Sequence, residues 1–387
     1  MPDTLPADWT ASPASFADSP LSQALRQPLL LGLFLPLQQG GWSPSSHPRG
    51  TDWRFDYNAR LAQQAEALGF DLAFGLAKWL GKGGYGGATQ YHGLTLDPFI
   101  VTTALAAVTR RILLISTIHV LYGPWHPLHL TKFGATLDHI AQGRWGINVV
   151  TGHRESEHRR FGKAPIPHGL RYEMADEFLR IAKQLWAASE EVSIAGRFWN
   201  LEAAYEALKP CYGRPVIVSA SGSQAGIDFA ARHSDILFTT SPGGAALDAA
   251  VETLPALVDS IRRASFAAGR PPLRSLVNPL IICRPTEREA LQYRDAIIAA
   301  ADHEAIANFS GDRSDAQGFR GFQADQRALG ANTIHIVGSP EQVTDQLARL
   351  KRTGIDGVQI AFFDFEPDLA FFGSDVLPLL KQAGLRL

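Results

Sequence analysis

The chain has 387 residues, of which 45% are hydrophobic and 19% charged, and its formal net charge at pH 7 is -2. This balance is typical of a folded globular protein and excludes fibrous and intrinsically disordered chains. The small net charge gives no general electrostatic reason to expect a nucleic acid or an anionic membrane as partner.

The first 27 residues carry early acidic side chains with scattered prolines and serines, and they lack the apolar core of a signal peptide. We interpret residues 1–27 as a loosely ordered N-terminal arm that precedes a single domain over 28–387. No run approaches the roughly 18 apolar residues of a membrane span. Cys211 and Cys283 are too far apart in sequence for a CxxC pair, and we expect two thiols in a reducing compartment. The sequence therefore predicts a cytoplasmic protein that is not bound to membranes.

From Pro28 onward, short apolar runs alternate with longer segments of helical period. In the segment 54–69, for example, Tyr57, Leu61, Ala65 and Leu68 recur at steps of three and four residues. The expected strands lie near residues 30, 72, 113, 146, 216, 236, 279 and 359. Eight such units with continuously apolar strands favour an α/β fold of the closed (β/α)8 TIM-barrel type over an open doubly wound sheet.

Two segments interrupt this alternation. Residues 188–214 have β character of their own, in EVSIAGRFWNLE, and we expect a small excursion there. Residues 304–335 are long, polar and glycine-rich. A segment of that size inside a compact fold is typical of a functional lid, so we predict a lid with short extra elements between strands seven and eight.

The carboxyl ends of barrel strands share one face, which holds the active site in nearly all such enzymes. Among the polar residues expected there, SASGSQAG at 219–226 stands out. Small residues let a ligand approach the backbone, and the first amides of the following helix favour an anion such as phosphate. An ordinary helix cap by Ser221 or Ser223 is the alternative.

The run HRESEH at 153–158 raises the possibility of a metal site. Its spacing is neither HExxH nor the His-x-His of barrel hydrolases, so we expect no metal and favour a solvated charged turn. WHPLHL at 125–130 is better read as a helix start, and GGYGG at 83–87 as a flexible loop over the barrel mouth. The sequence contains no GxSxG elbow and no P-loop.

Several pieces of the chain resemble the bacterial luciferase superfamily of flavin-dependent monooxygenases, over roughly residues 28–385. They are DYNARLAQQAEALGFD, GPWHPLHLTKFGATLDHIAQGRWGINVVTG, RYEMADEF, SASGSQAG and VQIAFFDFEPDLAFFGSDVLPLL. GPW followed by HP, and NVVTG, look most like dimethylsulfone monooxygenase. AGIDFAARHSD and the FFDF ending look more like the pyrimidine-ring-opening monooxygenase.

The resemblance implies a two-component system in which a separate NAD(P)H:FMN reductase supplies reduced FMN, and O2 is the co-substrate. The protein would bind the flavin, exclude water and place a small substrate whose C–S or C–N bond then breaks. A sulfone or sulfonate is the expected substrate, and a pyrimidine-like cyclic amide is the alternative. The resemblance also implies a homo-dimer or homo-tetramer.

Site residues follow from the resemblance by position. Asn148, Glu157, Arg171 and Tyr172 match flavin contacts, the last two near the phosphate and ribityl chain. Ser221, Gly222 and Ser223 match the phosphate turn, and Ala77 and Lys78 match isoalloxazine contacts. Thr117 falls near an oxygen-placing threonine, although a length difference before GPW makes His119 an equal candidate. The predicted catalytic residues are Thr117, His119, Asn148 and Asp364.

The chain also departs from its relatives. Asp364 stands where the sulfone enzyme has a histidine, and the GGS-type turn is replaced by SASGS. Trp42, Trp79, Phe363 and Phe365 would form an aromatic mouth for the substrate or belong to the core. A deazaflavin-dependent hydride-transfer enzyme and a non-catalytic flavin-binding subunit on the same barrel remain alternatives.

Overall fold

The computed structural model describes residues 11–122, 125–312, 325–330 and 332–387. In this part of the chain, the strands are β1 (Leu30–Phe34), β2 (Leu72–Gly75), β3 (Leu113–His119), β4 (Trp145–Val150), β5 (Val192–Ala195), β6 (Asn200–Ala204), β7 (Val216–Ala220), β8 (Ile236–Thr239), β9 (Arg274–Val277), β10 (Pro279–Cys283), β11 (Ile334–Gly338) and β12 (Gly357–Phe362).

A closed parallel barrel forms the centre of the fold. Its order is β1, β2, β3, β4, β7, β8, β9 and β12, and β12 pairs with β1 to close it. β9 and β10 are separated by Asn278 and together occupy the seventh position, because both pair with β12. The strands are mainly apolar because side chains on one face fill the barrel while those on the other contact the helices. The predicted eight-stranded TIM barrel is confirmed.

Helices surround the barrel and connect its strands. They are α1 (Pro20–Ala24), α2 (Phe55–Ala67), α3 (Pro98–Val108), α4 (Pro127–Ile140), α5 (Glu155–Arg160), α6 (His168–Ala187), α7 (Gln224–His233), α8 (Leu247–Ala267), α9 (Glu287–Ala299), α10 (His303–Gly311), α11 (Pro340–Arg352), α12 (Phe365–Phe371) and α13 (Leu377–Gln382). Local sequence defines many of their starts: Thr286 and Ser339 form capping boxes, and Asp97 accepts first-turn amides of α3. None of the helices in the described ranges is both long and apolar enough to cross a membrane.

The excursion at 188–214 contains an antiparallel hairpin of β5 and β6. The carboxylate of Glu177, on α6, accepts the backbone N–H groups of Arg197, Phe198 and Trp199 at 2.9–3.1 Å. These bonds attach the hairpin turn to α6.

The segment 304–335 contributes more regular structure than its polar sequence indicates. α10 covers its first part, a 3-10 turn forms at Asp325–Leu329, and β11 begins at its end and extends the sheet by pairing with β10. Residues 313–324 and 331 lie outside the described part, so the predicted lid stays a prediction.

The expectation of a loosely ordered arm is wrong for residues 11–27. A 3-10 turn at Pro13–Ser15 and α1 pack against the barrel, with Leu21 fully buried. Ser12 Oγ donates to Asp235 Oδ1 at 2.6 Å, and the same carboxylate pairs with buried Arg214. The sequence did not reveal this contact because its partners are more than 200 residues away. Residues 1–10 lie outside the described part.

Candidate active site

One deep cavity opens at the carboxyl ends of the barrel strands. It encloses about 1410 Å³ of space, part of which is open to solvent. This is the face at which barrel enzymes bind their substrates. The predicted site residues that line the cavity are Trp42, Ala77, Lys78, Thr117, His119, Glu157, Arg171, Tyr172, Ser221, Gly222 and Ser223.

The turn between β7 and α7 forms one part of the wall. Ser223 is the N-cap of α7, where its Oγ accepts the N–H of Gly226 at 3.2 Å, and its own N–H donates to Ser221 Oγ. Tyr172 Oη lies 3.3 Å from Ser221 Oγ. A Cβ at position 226 would collide with both of these oxygens, so glycine is required for their approach. The first-turn amides and hydroxyls together can accept an anion.

Basic side chains give the neighbouring wall a positive character. Arg171 lies in the first turn of α6 and is only 4% exposed. Burial, with Arg154, Lys78 and Arg171 among the charges that add to it, lowers the pKa of His153 well below its ordinary value. His153 is therefore neutral at pH 7, and the basic groups around it favour an anionic ligand.

Glu157 is held in place by groups from two other segments. Its Oε2 accepts the hydroxyl of Tyr122 at 2.7 Å, and its Oε1 accepts the backbone N–H of Trp79 at 3.3 Å. Burial and the Glu157 charge raise the pKa of Tyr122 above its usual range. Glu157 thus connects the loop after β2 with the turn after β3 while lining the cavity.

The expectation of a solvated turn is wrong for part of the run at 153–158. His158 is fully buried, and its ring packs edge-on against Tyr122. Arg154 is 7% exposed and forms an ion pair with Asp312 at 2.7 Å, with its guanidinium 5.0 Å from the centre of the Phe309 ring. These contacts join the start of α5 to the end of α10. Within the described ranges, no group of three or more His, Cys, Asp or Glu side chains is arranged to hold a metal ion.

Thr117 and Asn148 form a pair at the ends of neighbouring strands. Asn148 Nδ2 donates to Thr117 Oγ1 at 2.9 Å, and the two residues are partners in the register of β3 and β4. Thr117 lines the cavity, whereas Asn148 lies behind it. Because Thr117 accepts the amide proton, its own hydroxyl proton can be donated to a group in the cavity.

His119 lies two residues beyond Thr117 on β3, on the same face of the strand. Its ring stacks on Tyr122, with the ring centres 4.8 Å apart. Burial lowers the pKa of His119 to about 4, against a weaker opposing effect of Glu157. The imidazole is therefore neutral at pH 7 and can donate or accept a hydrogen bond without carrying charge.

Lys78 brings an ammonium group into the cavity wall after β2. Its Nζ lies 5.6 Å from the centre of the Trp42 ring. Burial, supported by the charge of Arg154, lowers the pKa of Lys78 to about 7. Lys78 therefore changes its protonation state near neutral pH, unlike an exposed lysine.

This shifted pKa predicts a pH dependence of stability. The unfolded chain keeps the Lys78 proton up to about pH 10.4, whereas the folded protein loses it near pH 7. The unfolded state thus binds more protons between these values, so the free energy of unfolding is expected to rise with pH in this window. Below pH 7 Lys78 is charged in the folded protein too, so the free energy of unfolding is reduced by the full cost of burying this ammonium group.

Urea unfolding at pH 6, 7, 8 and 9 would measure this effect. Lys78→Met is expected to flatten the rise, and Lys82→Met, at an exposed position of the same loop, to preserve it. If the free energy of unfolding changes with pH equally in the wild type and in Lys78→Met, the lowered pKa of Lys78 is not the cause of the rise.

Besides Asn148, four predicted site residues lie away from the cavity lining. Asp364 is the N-cap of α12 and accepts the N–H of Gly50 at 3.1 Å. Phe363 and Phe365 are buried in the core, and Trp79 is 38% exposed and packs against Phe161. Among the four aromatic residues predicted for the substrate, Trp42 alone lines the cavity.

Some lining residues were not predicted from the sequence. They include Phe34, Phe74, Tyr85, Phe238, Phe309, Asn332 and Gln359. For Gln359 a signal existed, because it is the one polar residue in the apolar strand GVQIAF. The aromatic residues carry no such signal, since an apolar side chain in a strand is also expected in an ordinary core.

Comparisons with known proteins agree with this geometry. The model of the luciferase-like monooxygenase family matches residues 30–357. The chain is 32% identical over 369 residues to the FMNH(2)-dependent dimethylsulfone monooxygenase of Pseudomonas fluorescens (strain Pf0-1), covering 92% of this chain and 96% of that protein.

A second relative is the pyrimidine monooxygenase RutA of Pseudomonas syringae pv. syringae (strain B728a), 30% identical over 359 residues, covering 91% of this chain and 96% of the relative. Among solved structures, the fold is similar to that of the long-chain alkane monooxygenase LadA, with a TM-score of 0.80, 24% identity and 93% of each chain covered. The extent of the family match and these identities show that the chain belongs to the luciferase-like monooxygenase family.

Proposed function

We propose that the protein is the oxygenase of a two-component monooxygenase. It takes reduced FMN from a separate NAD(P)H:FMN reductase and uses O2 to oxygenate and cleave a small organic substrate. The observation that carries the proposal is the single cavity in which an anion-binding turn, a basic wall and the Thr117 hydroxyl meet. The dimethylsulfone relative is named as FMNH(2)-dependent, which supports the same cofactor here.

The residues present fit a flavin mononucleotide. The turn at 221–223 and the Tyr172 hydroxyl form a cradle that a Cβ at Gly226 would fill, as a phosphate site requires. The cavity lining continues from this turn past Lys78 and Thr117 to Gln359, so the proposed phosphate and ring contacts belong to one cavity.

Reduced FMN would supply the electrons that activate O2 when it is bound. The chain supplies binding and placement: Arg171, Tyr172 and the 221–223 turn hold the phosphate end, and Ala77, Lys78 and Glu157 contact the ring. Thr117 donates a hydrogen bond to an oxygen atom in the cavity, and Asn148 orients it. The apolar walls exclude water from the reacting groups.

The substrate is small, and two classes are candidates. A sulfone or sulfonate, cleaved at C–S, is supported by the 32% identity to the dimethylsulfone enzyme. A cyclic amide, cleaved at C–N, is supported by the pyrimidine relative and by the uncharged carboxamides at the base of the cavity. Both would react in the same site with the same cofactor.

Two measurements test the proposed function. Anaerobic titration with reduced FMN should change the flavin spectrum or fluorescence, and a reduced deazaflavin should bind more weakly. With a generic flavin reductase, NADH and ¹⁸O2, a panel of sulfones, sulfonates and cyclic amides should give one ¹⁸O-labelled product class. An unchanged spectrum with reduced FMN, or tighter deazaflavin binding, would reject the proposal.

A further inference from the structure

The side chain of Gln359 lies over the neighbouring strand of the barrel and lines the cavity. Gln359 lies on β12, and its register partner on β1 is Gly32. A Cβ at position 32 would collide with the Gln359 carboxamide, so the glycine creates the space that this side chain occupies. Gln359 is only 1% exposed and lines the cavity.

Two more carboxamides lie at the same level. Val277 pairs with Val358, and Leu280 with Ala361, so the common register places Asn278 beside Gln359. Asn332 precedes β11, which pairs with β10 from Pro279 onward. All three side chains line the cavity, and we call Asn278, Asn332 and Gln359 the carboxamide floor.

The carboxamide floor has unused hydrogen-bonding capacity. Oδ1 of Asn278, Oδ1 of Asn332, and both Oε1 and Nε2 of Gln359 are buried and make no hydrogen bond within the protein. Native proteins rarely leave such groups unpaired, because burying them costs free energy that a partner restores. Several such groups in one cavity indicate that a bound ligand forms the missing hydrogen bonds.

Aromatic side chains of β1, β2 and β8 line the cavity together with the floor. Phe34 lies two residues after Gly32 and therefore on the same face of β1, with Phe74 as its register partner on β2. Phe34 stacks on Trp42 at 3.7 Å between ring centres, and Phe74 packs edge-on against Phe238 at 4.7 Å. The floor residues themselves carry no charge.

The charged lining residues come from other elements of the barrel mouth, namely the loop after β2 and the helices α5 and α6. They are Lys78, Arg154, Glu157 and Arg171. The charged lining residues and the carboxamide floor thus come from different elements, and Lys78 is the charged residue that approaches the aromatic group, 5.6 Å from the centre of the Trp42 ring.

We propose that the carboxamide floor recognises the substrate, and that the substrate carries a neutral group with a hydrogen-bond donor beside an acceptor, as in a lactam or imide ring. The inference rests on the proposed function and specifies its substrate class. Gln359 offers one acceptor and one donor side by side, which a lactam N–H and C=O complement. A sulfone offers acceptors alone and leaves the floor oxygens unpaired, and a sulfonate brings a charge that the floor does not neutralise.

Three five-membered rings of similar size test this specificity in the wild-type protein. They are 2-pyrrolidinone, its N-methyl derivative, which lacks the donor, and sulfolane, which is a cyclic sulfone. Each is titrated calorimetrically into the cofactor-free protein and, anaerobically, into the protein saturated with reduced FMN. The lactam is expected to bind about tenfold more tightly than the other two. Equal binding of the three, tighter binding of sulfolane, or no binding of the lactam would overturn the proposal.

A variant then assigns the effect to the floor. Gln359→Met keeps the length of the side chain and removes both polar atoms, and it is expected to reduce the preference for the lactam about tenfold while preserving the affinity for reduced FMN. Gln63→Leu, at an exposed position of α2, is the control. An unchanged preference in folded Gln359→Met would overturn the role of Gln359.

Failure of the two proposals can be told apart. If the wild type does not bind reduced FMN, the proposed function fails, whereas selective lactam binding by the cofactor-free protein still supports the floor. If reduced FMN binds and sulfolane is preferred, the floor proposal fails and the flavin function stands.

Discussion

Replacing Thr117 by valine is expected to lower kcat about 100- to 1,000-fold, the range for removing one hydrogen-bond donor aimed at a developing charge. The Thr117 hydroxyl lines the cavity and accepts from Asn148 Nδ2 at 2.9 Å, which directs its own proton towards the cavity. Valine keeps the branched shape and removes that proton. Steady-state turnover with a generic flavin reductase, together with anaerobic titration by reduced FMN, would separate lost chemistry from lost binding.

Thr117→Ser is the matched control, because it keeps the hydroxyl and should retain most of the turnover. The affinity of Thr117→Val for reduced FMN should change little, since the hydroxyl is not among the groups proposed to hold the phosphate. Turnover within threefold of the wild type would contradict the role of Thr117. It would transfer the oxygen-placing role to His119, which lines the same wall.

Replacing Arg171 by alanine is expected to weaken the binding of reduced FMN by about 1.5–3 kcal/mol, as expected for a lost charge-assisted hydrogen bond. Arg171 is buried in the first turn of α6, next to Tyr172, whose hydroxyl lies 3.3 Å from Ser221 Oγ in the proposed phosphate turn. Anaerobic titration monitored by flavin fluorescence measures the change.

Reduced riboflavin gives this experiment an internal control, because it lacks the phosphate. If Arg171 contacts the phosphate, Arg171→Ala should weaken reduced FMN binding much more than reduced riboflavin binding. Arg180→Ala, on the same helix but outside the cavity lining, should leave both affinities unchanged. Equal losses for the two flavins would place the phosphate elsewhere.

The barrel was predictable because its signals are local. A strand covered on both faces is a continuous apolar run, and the runs near residues 30, 113, 146 and 216 all became barrel strands. β11 was missed because the segment before it is polar and its own sequence, IHIVG, is short and contains His335. Its place in the sheet is decided by pairing with β10.

The predicted residues that line the cavity include side chains at a strand end or a helix start. Thr117, Arg171 and Ser223 are such positions, and all three line the cavity. Phe363 and Phe365 also follow a strand, but α12 begins at Phe365, and both side chains are buried in the core and do not line the cavity. A difference of one or two residues in where the helix begins decides the direction of the side chain, and the sequence alone does not specify it.

By itself, the sequence determined the class of fold and the barrel strands, because these depend on periodicity along single elements, and its resemblance to the family indicated part of the cavity lining. The tertiary structure decided what those residues do to each other. It buried His158, lowered the pKa of Lys78 to about 7, anchored residues 11–27, and brought Asn278, Asn332 and Gln359 together on the barrel floor. These properties depend on burial and on contacts between distant segments, and both arise only when the barrel closes.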